Sequence, residues 1–325
     1  MLIVQKFGGS SLATPERLRR AAAMAIEAQR RGNRVLMVVS AMGESTDELI
    51  DLVHKISASP PARELDALLS SGEQQSAALM AIALNSMGAK SLSLTGWQAG
   101  MFTHGNHGDA DVNICLPCRA ALALKEGYIP VVTGFQGIND MGDITTLGRG
   151  GSDTSAVAIA AALGADRCEI FSDVAGIYTA DPRLVRDAIH IDRMDARDML
   201  VLSRGGSQVL HAKSVELALE KGMELSLLSS FGESGRTRLC LLGEGERPAF
   251  AGVTRSAVSG ELTLAGRGCS RELLPEIKGL FDNWGIRMLG GRSGDGFVCI
   301  RTDPEQQIYA LNVLHRAFFI ENQNL

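Results

Sequence analysis

The first forty residues constrain the fold most tightly. Leu2–Phe7 is a β-prone, mostly apolar run that stops at Gly8-Gly9-Ser10-Ser11. Thr14-Pro15-Glu16 then puts a hydroxyl residue at an N-cap and proline at the first helical position. The Arg/Ala-rich stretch behind it predicts a helix to about Arg31, which Gly32-Asn33 ends. Val35–Val39 predicts a second strand, opening into Ser40-Ala41-Met42-Gly43. Strand, glycine turn, helix, strand is a βαβ unit, and such a unit requires a parallel sheet covered by helices.

The alternation continues. A helix near Ser76–Met87 precedes a strand at Ser91–Leu94, and a helix near Cys118–Glu126 precedes Ile129–Thr133. A small hairpin, the loop Thr145–Ser152, the Ala-rich helix Thr154–Leu163 and the strand Cys168–Ser172 follow. The helix Lys213–Lys221 and the strand Leu225–Leu228 close this part. Gly243–Pro248, rich in glycine and charge, is the best linker candidate. Beyond it a strand at Glu261–Ala265, a helix at Arg271–Asn283, strands at Ile286–Leu289 and Gly296–Arg301, and a helix at Pro304–Phe318 lead to a last short strand. That βαββαβ order predicts a ferredoxin-like module. With 325 residues, of which 45% are apolar, one large domain at 1–242 and a small one at 249–325 are expected.

Several classes of function fall away. A net charge of −5 with interspersed bases gives no nucleic-acid footprint. The six cysteines are scattered, and Cys115-Leu-Pro-Cys118 lacks the second pair that a zinc site needs, so no metal ligands are assigned. No apolar run approaches the ~20 residues of a membrane span, and no leader is recognisable, so a cytoplasmic location is expected.

In open α/β sheets ligands collect at the carboxyl ends of strands. Lys6-Phe7-Gly8-Gly9-Ser10-Ser11 puts a cation beside a glycine turn there, suited to phosphate oxygens, although a double glycine is also an ordinary tight turn. Thr145–Ala156 supplies the Arg149 guanidinium, Gly150-Gly151 and a polar helix start, and a guanidinium can clamp a carboxylate in bidentate fashion. Asp153 reads either as a partner for Lys6 or a metal ion, or as the N-cap of the Ala-rich helix. Ser172–Arg183 mixes acids, an aromatic and an arginine; it suits a nucleotide, or a plain surface loop.

Taken together, the segments Lys6–Ser11, Val38–Leu49, Arg63–Gln74, Thr95–Gly100, Gly134–Gly137, Thr145–Ala158 and Ser172–Arg183 resemble the aspartokinase branch of the amino-acid kinase family, over about Met1 to Ser230. The resemblance implies an amino-acid-kinase three-layer α/β sandwich with a mostly parallel, eight-stranded central sheet. It also implies ATP with Mg²⁺, and transfer of the γ-phosphoryl to the β-carboxylate of L-aspartate. Carried over by motif, Lys6 and Asp153 are catalytic. Arg149 grips a substrate carboxylate and Glu73 receives the α-ammonium, with Ser40, Thr46 and Ser152 lining the same pocket. Gly8, Gly9 and Ser10 cradle phosphates, and Ser172, Asp173, Tyr178, Arg183 and Gln208 surround the nucleotide. The small C-terminal α+β module resembles a single ACT domain, where the family usually has two, so weak feedback by lysine or threonine and a homodimer are expected.

The chain departs from the pattern at Gln208, where the family favours lysine on the nucleotide side, and at Asp111, Ala175 and Trp97. Two other readings stay open: a kinase for a related carboxylate acceptor, and a catalytically weak regulatory subunit that binds nucleotide or amino acid.

Overall fold

The computed structural model describes residues 1–232 and 235–321. The chain begins with β1 (Leu2–Phe7), α1 (Gly9–Leu12), α2 (Pro15–Arg30), β2 (Arg34–Val39), α3 (Ser45–His54) and α4 (Ala62–Ser86). Then come β3 (Ser91–Leu94), β4 (Met101–His104), β5 (Asp111–Cys115), α5 (Cys118–Lys125) and β6 (Ile129–Thr133). β7 (Gln136–Ile138), β8 (Ile144–Thr146), α6 (Gly151–Leu163) and β9 (Arg167–Ser172) follow. The next group is β10 (Ile177–Tyr178), β11 (His190–Ile191), β12 (Arg193–Asp195), α7 (Ala196–Arg204), α8 (Ala212–Lys221), β13 (Leu225–Ser229) and β14 (Arg236–Cys240). The last is β15 (Gly252–Arg255), β16 (Leu262–Ala265), α9 (Leu273–Asn283), β17 (Met288–Gly294), β18 (Phe297–Thr302) and α10 (Gln307–His315). By compactness the chain forms two units, Met1–Ala175 with Glu220–Ser234, and Gly176–Leu219 with Gly235–Leu325.

In the first unit β13, β9, β1, β2, β6 and β3 lie side by side in that order, and every pair is parallel. The period-2 alternation of β1 divides its side chains between two helical layers. Phe7 faces α2 and α4, packing with Leu18, Ala22, Met37 and Met80, and its ring stacks on Phe171 at 4.6 Å. Lys6 points the other way, where its ammonium meets Asp153 of α6. Residues 151–160 of α6 are all buried, so its alanines and small hydroxyl residues suit a helix enclosed all round. Helices, sheet, helix is the expected three-layer α/β sandwich. A second sheet in this unit runs β5-β4-β7-β8.

The predicted α2 start holds: Thr14 accepts from the Arg17 N–H and Pro15 opens the helix. The helix expected at Ser76–Met87 is longer and begins at Ala62. Its buried residues, Asp66, Leu69, Ser70, Glu73, Ala77, Met80 and Leu84, follow the 3.6-residue repeat straight through Gly72. A Cβ on Gly72 would meet the Ala41 Cβ at 2.9 Å. That glycine therefore permits close approach rather than breaking the helix.

In the second unit β12 and β14 pair parallel, and β15-β16-β18-β17 form an antiparallel sheet. β16-α9-β17 with β18 between the two strands is the split βαβ of a ferredoxin-like module. The expected last strand is not formed at residues 316–321, which turn as a π-helix, and residues 322–325 lie outside the described ones. β15 takes the edge beside β16 instead, so the order is ββαββα. The stretch Gly243–Pro248 follows β14 in the same unit. Arg197 pairs with Glu244 at 2.9 Å, and Arg247 with the buried Asp198 at 2.6 Å, fastening that stretch to α7.

Candidate active site

At the carboxyl ends of β1, β2 and β6 the first unit opens a cleft of about 330 Å³. It brings together Lys6, Gly8, Gly9, Ser40, Thr46, Glu73, Arg149, Ser152 and Asp153, nine of the residues picked out by sequence. Ala41, Gly43, Phe135, Gly148, Gly150 and Gly151 complete the lining.

Lys6 Nζ and Asp153 Oδ1 are 2.5 Å apart, each side chain 11% exposed. Gly150, with φ +75°, is the N-cap residue of α6, and Asp153 is the third residue of the helix. The N-cap reading of Asp153 is therefore corrected: its carboxylate meets the lysine and makes no cap hydrogen bond. The Gly8 N–H donates to Phe171 O at 3.3 Å. The N–H groups of Gly9 and Ser10, opening α1, are left among the described residues for an incoming anion. Gly9 is required by packing, since a Cβ there would meet Ala41 O at 2.7 Å. The Ser10 side chain is exposed, and Ser10 O accepts from Arg17.

Glu73 is 3% exposed. Its Oε1 accepts from the Ala41 N–H at 3.0 Å, while its Oε2 is buried with no partner among the described residues. Burial pushes this carboxyl up to about 7, against the pull of the Ala41 N–H. An acid held half-protonated near neutrality, with one oxygen unsatisfied, is a receptor for a cation. Arg149, by contrast, is exposed on a loop between Gly148 and Gly150, both at positive φ. Its guanidinium has no partner among the described residues, which suits it to a carboxylate brought from solution.

Phe135 is a site residue to which the sequence reading gave no role. It lines the cleft with φ +69°, the one non-glycine at positive φ among the described residues. Ser155 Oγ accepts its N–H at 3.0 Å, and its carbonyl accepts from Leu147, so both neighbours hold the strained backbone in place. Its flanking Gly134 was the only sequence signal.

The nucleotide residues are divided. Ser172 and Asp173 sit at the end of β9 in the first unit, and Ser230 Oγ, itself accepting from Ser11, donates to Ser172 O at 2.9 Å. Tyr178, Arg183 and Gln208 belong to the second unit. There Tyr178 meets His190 edge-on at 5.3 Å, Arg183 pairs with Asp181 at 2.7 Å, and Gln208 is exposed.

Comparison with known proteins agrees with this geometry. A curated aspartokinase of Mycobacterium bovis is 45% identical over 284 residues, 86% of this chain and 65% of its own length. The chain thus spans slightly less than two thirds of that relative. The structure of an aspartate kinase from Synechocystis is similar with a TM-score of 0.68 at 30% identity, covering 98% of this chain and 69% of that one. E. coli aspartokinase III in complex with aspartate and ADP gives 0.72 at 25% identity, covering 93% and 79%. The model of the amino acid kinase family matches residues 1–229. That match takes in the whole cleft and well over half of the sequence, and the chain belongs to the amino acid kinase family.

Proposed function

We propose that this chain is an aspartate kinase, transferring the γ-phosphoryl of ATP to the β-carboxylate of L-aspartate. One observation carries the reading: a buried Glu73 carboxyl and an Arg149 guanidinium, the first half-satisfied and the second unpaired among the described residues, share one cleft with the Lys6–Asp153 pair. The relatives named aspartokinase, and the solved neighbour holding aspartate and ADP, support it.

The acceptor carboxylate is ionised at neutral pH, with an ordinary pKa of about 4, so no general base is needed. One of its oxygens attacks the γ-phosphorus, the bond to the bridging oxygen breaks, and ADP leaves with that oxygen. The products are ADP and an acyl phosphate. What the protein supplies is alignment and neutralisation of repelling anions. Glu73 and Arg149 take the α-ammonium and a carboxylate, selecting an amino acid over a plain diacid. Lys6 meets the charge on the transferring phosphoryl group, and Asp153 holds the ammonium where that charge develops. Gly8, Gly9 and Ser10 take the phosphates, Ser40, Thr46 and Ser152 shape the acceptor end, and Ser172, Asp173, Tyr178, Arg183 and Gln208 serve the nucleotide. Mg²⁺ would be carried by the nucleotide phosphates, with Asp153 the carboxylate beside the phosphoryl site.

We assign 1–242 to the catalytic domain and 249–325 to an ACT-like module serving a homodimer. A cytoplasmic role in lysine and threonine biosynthesis follows from the same reading. Among the described residues no helix is long and apolar enough to cross a membrane. The test is trapping with hydroxylamine in the presence of ATP, Mg²⁺ and a panel of acceptors. Aspartyl hydroxamate is expected. Hydroxamate from a different acceptor alone would reassign the substrate, and none from any acceptor would refute kinase activity.

A further inference from the structure

Seven residues before Glu73, on the same face of α4, stands a second buried acid that the chemistry above does not use. Asp66 is 1% exposed, and the Gly108 N–H, the Thr146 N–H and the Thr146 hydroxyl all donate to it. Thr146 Oγ1 lies 2.6 Å from Oδ1 and the Thr146 N–H 3.1 Å from Oδ2. The Gly108 N–H lies 3.1 and 3.0 Å from the two oxygens, and His107 Nδ1 is 2.8 Å from Oδ2. An ionised carboxylate accepts at all of these points, whereas an amide of the same shape turns an N–H₂ group toward donors. The site therefore requires a carboxylate, and not merely a side chain of that size.

What Asp66 fastens matters more than that it is satisfied. Thr146 ends β8, and the chain goes directly into Leu147-Gly148-Arg149-Gly150. The 108–110 turn lies against that loop: the Ala110 N–H donates to Thr146 O at 2.9 Å. A Cβ on Gly148 would meet Asp109 Oδ1 at 2.9 Å and Gly108 O at 3.1 Å. One carboxylate thus binds the rail on which Arg149 rides, and the turn beneath it, to α4. Two helical turns on, about 10 Å at 1.5 Å per residue, the same helix carries Glu73.

We propose that Asp66 is a positioning residue: through α4 it sets the spacing between Arg149 and Glu73, and so the length of amino acid that the cleft accepts. This rests on the reading of Arg149 and Glu73 as the two ends of the acceptor grip. It goes beyond that reading in giving the spacing a physical cause.

The test is a kinetic cycle on the full chain with Asp66→Asn, Arg149→Lys and the double variant. The Michaelis constants for L-aspartate and for ATP are measured separately, with the melting temperature of each protein as a control. Asp66→Asn is expected to raise KM for aspartate about tenfold and to leave KM for ATP within twofold. In the Arg149→Lys background the same change should have less than a twofold effect, because a residue acting through Arg149 has nothing left to position. Should Asp66→Asn not fold, Thr146→Val removes the single 2.6 Å contact and is expected to raise KM for aspartate two- to fivefold. Equal rises in both Michaelis constants, an additive cycle, or a Thr146→Val enzyme with unchanged KM for aspartate would overturn the inference while leaving the kinase reading intact. An unaltered chain that forms no hydroxamate overturns the grip and this inference together.

Discussion

With Glu73 receiving the α-ammonium as proposed, acceptor binding is a proton-linked event whose size follows from the burial of that carboxyl. The carboxyl lies 3% exposed with its Oε2 unpartnered among the described residues, and is pushed up from 4.5 to about 7. At pH 6 it is about nine-tenths protonated in the empty cleft. An α-ammonium placed against Oε2 favours the charged form, and an opposite charge at that range lowers a carboxyl by about 1–3 units. Taking about 2 units, Glu73 becomes about nine-tenths ionised at pH 6, so binding releases about 0.8 proton there and about 0.1 at pH 8. The same linkage tightens aspartate binding about tenfold between pH 6 and pH 8, or roughly 1.4 kcal/mol. Titration calorimetry in buffers of different ionisation enthalpy reads the proton count from the slope of the observed heat. Glu73→Gln should abolish the release, weaken binding and flatten its pH dependence. In the empty protein the sign is the reverse for stability. The folded chain keeps a proton that the unfolded chain loses above pH 4.5, so stability falls by about 3 kcal/mol as pH rises from 4.5 to 7. A release at pH 6 that persists in Glu73→Gln, or an affinity flat from pH 6 to pH 8, would refute the reasoning.

Lys6→Met is expected to lower kcat by about 10²–10³, with KM for aspartate little changed, because in the proposed mechanism its charge is used where the phosphoryl group moves; steady-state rates decide. Gly72→Ala drives a methyl to 2.9 Å from the Ala41 Cβ and should cost about 1–3 kcal/mol in urea unfolding, with a raised KM for aspartate as Glu73 is displaced. His315 Nε2 lies 2.8 Å from Thr179 Oγ1, and burial holds its pKa down despite the charge of Asp187. The unfolded chain protonates this imidazole as pH falls through about 6.5 and the folded one resists, so stability is lost below that pH. His315→Gln cannot charge, and denaturation midpoints from pH 5 to pH 8 should show a shallower acid decline.

The parts of the site written in local residue patterns were legible in the sequence. Glycines after β1, the hydroxyl–proline start of α2 and the arginine among glycines before α6 each announce their geometry within a few residues. The parts that depend on what lies across the cleft were not. Nothing local to Gly72 shows that it is the gap that admits Ala41. The sequence leaves Asp153 two roles, helix cap and partner for Lys6, and it takes the second because β1 puts a buried ammonium against α6, where an unpaired charge is expensive. At residues 316–321 the expected last strand of the small module is replaced by a π-helix for a related reason: the edge beside β16 is filled by β15, and those residues follow α10 and bury Phe318 and Phe319.

α4 shows how far a single element can carry the function. Its buried face meets the loop after β2 at Gly72 and Glu73, the hairpin at Ser70, whose carbonyl accepts from Gln136 at 2.8 Å, and the Arg149 loop through Asp66. Three loops that arrive from different strands are thus referenced to one rigid rod. A helix of 25 residues with a core face of Leu69, Ala77, Met80 and Leu84 does not shift one of those contacts without shifting the others. A bulkier residue at 72 is therefore expected to disturb more than its own packing. It should alter acceptor binding through Glu73 first and through the Asp66 end of the helix second. Aspartate affinity should then fall further in Gly72→Ala than in a variant that loosens α4 near Leu84, away from the cleft, with the same loss of stability.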